Sequence, residues 1–156
     1  MDRVDDRIDR TIELAASPDR VWRALTTPSE ISAWFRVAIE GPLTPGAEVW
    51  MTVTGPKDST GVGKRFRVRV VEMEPPRRFA WEWYPGAIDP AVDYSKEPRT
   101  KVTFTLEPIP GGTRLTLSET GFDAVSLARR AKVFADNNNG WTQVLAWFRS
   151  HVETPR

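Results

Sequence analysis

SPDRVWRALTTPSEISAWF, residues 17–35, holds two helix beginnings in close succession. Ser17 is placed to accept from the free amides of a helix that opens on Pro18, and Asp19 adds negative charge at the positive helix end. Thr27, Pro28 and Glu30 repeat the arrangement, with Thr27 and Glu30 in capping-box spacing. Pro28 lacks the amide that would continue the first helix and biases Thr27 away from helical angles. Two short helices are therefore predicted rather than one long one. The first offers Val21, Trp22 and Leu25 on one face; the second offers Ile31, Trp34 and Phe35.

The flanking sequence changes period. Upstream, Ile8, Ile12 and Leu14 share one parity and predict a strand. Downstream of Gly41, short alternating runs are punctuated by Gly and Pro, the pattern of antiparallel strands. Val49, Met51 and Val53 oppose Trp50; Phe66, Val68 and Val70 oppose Arg65, Arg67 and Arg69; Phe79, Trp81 and Trp83 oppose Glu82. Pro75 and Pro76 link the second and third of these runs, and residues 85–98 read as a loose insertion. A hairpin follows, with Val102, Phe104 and Leu106 facing the same way as Leu115 and Leu117. Finally Phe134, Asn137, Trp141, Leu145, Phe148 and Val152 recur at threes and fours, predicting a long helix with one apolar stripe. Gly140 within it costs about 1 kcal/mol and marks a kink or a close approach.

Strand, two short helices, about six strands and one long helix satisfy the layer rule as a curved antiparallel sheet gripping the last helix. The expected class is α+β, one domain over residues 1–156 with its core in 8–152. Seven Trp and seven Phe among 156 residues promise an aromatic interior. Lys and Arg number 22 against 21 Asp and Glu, so no global field attracts a polyanion, and nucleic-acid binding is not expected. With no cysteine there is neither disulfide nor thiol nucleophile, and one histidine, His151, makes no imidazole metal cluster. MDRVDDRIDR has no apolar stretch after its charges, and no run is long enough to span a bilayer. A soluble, cytoplasmic protein is expected, monomeric or homodimeric, without a cofactor.

The stretches IELAASPDRVWRALTTPSEISAWF, VEMEPPRRFAWEW, KVTFTLEPIPGGTRLTLSETGF and GWTQVLAWF resemble the START-related helix-grip (SRPBCC) superfamily. Within it they are most similar to the group named after the C-terminal domain of the activator of the heat-shock-protein-90 ATPase. Pro18, Val21, Trp22, Leu25, Thr26, Trp34 and Phe35 fit that group's opening helices; Gly112, Thr113, Gly121 and Phe122 its last hairpin; Gly140 and Trp141 the entry to its final helix. The resemblance implies a cavity roofed by the long helix and plugged at one end by the two short ones. It also implies dissimilar uses, among them co-chaperone domains, lipid or polyketide carriers and cyclases, with no shared catalytic set. The family's frequent proline after the Trp-Phe pair is replaced here by Arg36, and its Gly-Gly before the next strand by PGA.

Candidate cavity-lining residues are Phe35, Phe66, Trp81, Trp83, Phe104, Leu115, Phe134, Trp141 and Leu145, read either as plain core or as the wall of a site for a hydrophobic or aromatic small molecule or lipid. Parity sends Glu119 inward as well, making it a candidate ligand-binding or proton-handling acid; a parity slip near the strand end, the plainer expectation, would leave it exposed. No catalytic or metal-binding set is identified. Ser118 and Glu119 face opposite sides of a strand, and GVGKRF at 61–66 leads into a strand rather than a helix, unlike a phosphate loop. Arg65, Arg67 and Arg69, with Arg77 and Arg78, read as a solvated basic face or a dock for an acidic protein. His151 is expected on a frayed surface, and Arg129 and Arg130 are placed to meet a ligand anion. Three functions stay open: a non-catalytic binder, a co-chaperone-like interaction domain, and a cyclase, hydrolase or isomerase using Glu119.

Overall fold

The computed structural model describes residues 7–56, 62–85 and 93–154. Residues 86–92 of the expected insertion and Gly61 of GVGKRF lie outside them. Seven antiparallel strands form one sheet in the order β1-β7-β6-β5-β4-β3-β2. They are β1 (Arg7–Leu14), β2 (Val37–Glu40), β3 (Glu48–Val53), β4 (Arg65–Glu74), β5 (Arg78–Trp83), β6 (Thr100–Ile109) and β7 (Gly112–Thr120). Helices α1 (Pro18–Thr26) and α2 (Pro28–Ile31) follow β1, and α3 (Leu127–Glu153) closes the chain. This is the α+β helix-grip architecture that the pattern predicts.

The opening stretch folds by the local chemistry read from it, with one substitution of means. Ser17 Oγ accepts from the Arg20 amide at 3.2 Å, as a cap should. Thr27 does not cap with its side chain: its carbonyl takes the amides of Glu30 and Ile31 at 3.0 and 2.9 Å. The Glu30 carboxylate, expected to reach back, is held by Arg20 at 2.5 Å and His151 at 2.9 Å. His151 is therefore a packed residue tying the end of α3 to α2, not a frayed one.

Beyond Ile31 the chain widens into a π-helical turn, Ser32–Arg36. Such turns insert an extra residue and re-aim the side chains after them. Trp34 here points into the core, its indole donating to the Ala24 carbonyl at 2.7 Å and its ring meeting Phe148 edge-on at 4.9 Å. The turn ends at Arg36, whose φ of 59° is left-handed. A non-glycine residue pays about 1 kcal/mol or more for that conformation. The Arg36 guanidinium stacks 4.5 Å over Trp147 of α3, an attraction that offsets part of the cost.

Parity holds through the sheet: Ile8, Leu14, Met51, Val68, Phe79, Trp81, Val102, Phe104, Leu115 and Leu117 are buried under α3 and the short helices. One irregularity, a register shift between Val70 and Glu72, leaves Val71 exposed and sets Met73 opposite the buried Phe79. The outer face is not a free basic stripe. Arg65 pairs with Glu40, Arg67 with Glu48, Arg69 with Glu82 and Arg78 with Glu72. Arg65 and Arg67 also flank the Trp50 ring.

On the β1 edge, hydrogen bonds from Arg7 hold the Asp9 carboxyl below its usual value of 3.8 against an opposing desolvation, with Ser118 helping. A carboxyl depressed by folding stabilises above its unfolded value and loses that contribution as the pH falls through the folded one. Asp9→Asn should therefore lower the melting temperature slightly at neutral pH. In melts taken through acid, wild type and variant should converge below the ordinary carboxylate range.

Candidate functional site

Under the middle of α3, aromatic side chains from five elements meet. Phe35 of the π turn lies parallel to Trp141 of α3, with centroids 6.3 Å apart and planes 7° apart. Trp83 of β5 stands 5.8 Å from Trp141 and 6.5 Å from Phe35. Phe66, Trp81 and Phe104 continue the cluster, each within ring contact of at least one of these three. Edge-to-face and offset contacts of this kind add to the burial of the rings themselves.

The rings leave a recess of about 150 Å³ at one side of the cluster, lined by Phe35, Trp83, Asp136, Asn137, Gly140, Trp141 and Val144. Cavities of about this size accept one benzene ring. Gly140 brings neither close packing nor crowding: a Cβ there would meet no atom within 4 Å. Its helix-weakening effect goes with an open wall of the recess.

Of the expected lining residues, Phe35, Trp83 and Trp141 reach the recess, while Phe66, Trp81 and Phe104 form the packed cluster behind it. Leu115 and Leu145 are buried in the core away from the opening. Phe134 meets Phe122 edge-on at 5.2 Å, in a separate contact. Asn137, Gly140, Val144 and Asp136 complete the wall. Asn137 was legible, because it is an amide on an otherwise apolar helix stripe.

Glu119 corrects the plainer expectation of exposure: it is 0% exposed. Its parity does not slip, because β7 pairs on both sides through the residue, with Ile8 of β1 and Val102 of β6. Four side chains donate to the carboxylate. Trp83 Nε1 and Thr100 Oγ1 reach Oε2 at 2.9 and 2.5 Å, Trp141 Nε1 reaches Oε1 at 2.8 Å, and Asn137 Nδ2 spans both oxygens at 3.0 and 3.1 Å. No Arg or Lys is among its partners in the described residues. A buried carboxylate without a counter-cation survives only when its lone pairs are filled by aligned donors, and here they are.

The other charged candidates are used structurally. Arg129 donates to the Pro85 carbonyl at 2.8 Å and pairs with Glu97 at 3.4 Å. Arg130 donates to the Val125 and Asp123 carbonyls around the turn before α3. Neither presents a free guanidinium to a ligand anion. Among the described residues no His, Cys, Asp and Glu group could hold a metal ion, and no helix is long and apolar enough to cross a membrane.

A seven-stranded sheet around one long helix, closed by a short helical pair and holding an aromatic recess, defines a START-like helix-grip domain with a hydrophobic cavity. The sequence carries the identification one step further. The family model for Activator of Hsp90 ATPase homolog 1-like protein matches residues 15–153, and the chain belongs to that family. Solved structures agree on the fold. A protein from Mesorhizobium loti is 24% identical with a TM-score of 0.72, covering 94% of this chain and 96% of its own. One from Arthrobacter aurescens is 19% identical with a TM-score of 0.74, covering 96% of this chain and 87% of its own. CalU16 from Micromonospora echinospora is 23% identical with a TM-score of 0.65, covering 94% of this chain and 75% of its own. A search of curated proteins gave no match.

Proposed function

We propose that this domain is a non-catalytic binder of a small, ring-sized hydrophobic molecule, held in the recess between the π turn and α3. The observation that carries the reading is the recess itself. Three aromatic rings and Val144 form its apolar wall, and Asn137 gives it a polar edge. Small-molecule sites are generally apolar and aromatic with few polar groups.

Proton-handling chemistry is the weaker reading. Five donor contacts occupy the Glu119 oxygens, leaving little room for a substrate proton. An interaction surface for an acidic protein also draws little from the sheet face, where carboxylates alternate with the arginines.

Native mass spectrometry of freshly purified protein tests the reading, with retention of a small organic molecule as the expected result. A site-specific check uses Gly140. Gly140→Ala should raise stability by about 1 kcal/mol through helix propensity alone. Gly140→Phe should fill the opening and abolish retention while circular dichroism stays unchanged. Retention undiminished in Gly140→Phe would place the ligand elsewhere.

A further inference from the structure

The recess has acidic side chains in its wall and behind it. Asp136 stands in its wall, and Glu119 lies directly behind it, bonded to three of the wall residues, Trp83, Asn137 and Trp141. Among the described residues no Lys or Arg lines the recess. Lys132, the cation beside it, is exposed and paired with Asp136 at 2.8 Å. We infer that, among small hydrophobic molecules, the recess prefers one that carries an organic cation, a methylated ammonium group, over its uncharged isostere or an anion; this deepens the binding reading above and rests on it.

Three physical arguments converge. Glu119 is met by hydrogen-bond donors and by no basic side chain among the described residues, in a region that water scarcely reaches and where fields are weakly screened. Next, the two indoles that wall the recess both donate their N–H to that carboxylate. Hydrogen bonds in such chains polarise one another, and an N–H given to an anion leaves the ring more electron-rich. Electron-rich aromatic rings attract quaternary ammonium groups, and Trp is the strongest of them.

The third argument is the absence of a vacant acceptor. Glu119's lone pairs are already filled, so an ammonium that must donate N–H bonds gains none from it. A methylated ammonium has no such need. It offers a diffuse positive charge on an apolar surface, which is what a ring-walled recess of about 150 Å³ can enclose. An anion placed there would instead face Glu119 with no basic side chain in the wall among the described residues, since Lys132 is taken by Asp136.

The test compares choline with its neutral isostere 3,3-dimethylbutan-1-ol, which has the same shape without the charge. Each is titrated into the whole protein at constant ionic strength, following the indole N–H resonances of Trp83 and Trp141. Choline is expected to bind at least about tenfold tighter and to move both resonances. In Glu119→Gln the preference should fall to about threefold or less, and in Gly140→Phe both ligands should be lost. Should Glu119→Gln fail to fold, the wild-type pair of titrations still decides. Equal affinity for the isostere overturns the charge inference and leaves the binding reading standing. If neither compound moves the resonances, the charge inference also falls, and a further titration with neutral benzyl alcohol decides whether the recess binds anything.

Discussion

Glu119→Ala is expected to lower the unfolding free energy by about 4 kcal/mol, because it strands donors that have no second acceptor. Thr100 and Trp141 are buried, and each loses its bond outright. Trp83 and Asn137 border the recess and can turn to water, so they contribute less. In a chain of this length such a loss corresponds to a melting temperature lower by about 10 °C. Glu119→Gln should cost about half as much. The Thr100 hydroxyl can rotate to accept and the Asn137 amide can reverse, but one indole N–H still faces the new amide nitrogen. Thermal melts of the two variants check the order; a Gln variant less stable than Ala would contradict this account of the cage.

Gly112→Ala should be at least as damaging, for a steric reason. A Cβ at Gly112 would stand 1.8 Å from the Leu14 carbonyl oxygen, 2.9 Å from its carbon and 3.2 Å from the Ala16 nitrogen. These are backbone atoms, so no rotamer change relieves the clash. The end of β1 would have to part from β7 beside the Leu14–Thr113 pair, where Thr113 Oγ1 also donates to the Ala16 carbonyl at 2.7 Å. A loss of about 4 kcal/mol or more, with poor soluble yield, is expected. The neighbouring Gly111→Ala is the control. Its φ is 81°, but nothing lies within 4 Å of a Cβ there, so only a backbone cost of about 1 kcal/mol applies. Equal losses at the two positions would refute the steric explanation.

The elements that local chemistry decides were open to reading from sequence. Ser17 followed by Pro18 specified the start of α1, and alternation placed Phe79, Trp81 and Phe104 inside. The π turn was not open in this way, because it depends on a left-handed Arg36 that only the packing of Trp34 and the Arg36–Trp147 stack sustain. The Val70–Glu72 shift likewise arises from how two strands meet. Glu119 shows the limit most clearly. Its inward parity was visible, but its donors come from β5, β6 and α3, up to 36 residues away in sequence. Only Asn137, out of place on an apolar stripe, signalled that the helix brought something polar to meet it.

The carboxylate cage also determines where α3 can lie. Asn137 and Trp141 are four residues apart, on one face of the helix, and both must reach the same two oxygens. Sliding or rotating α3 by one residue turns that face by about 100° and leaves Glu119 with two donors from the sheet alone. Apolar side chains tolerate several such offsets, since one greasy contact substitutes for another. The cage does not, and it acts as a key that fits one angular setting of the helix. Polypeptides of this fold that lack an equivalent acid should therefore show greater heterogeneity in the docking of the last helix, visible as broadened resonances along its inner face.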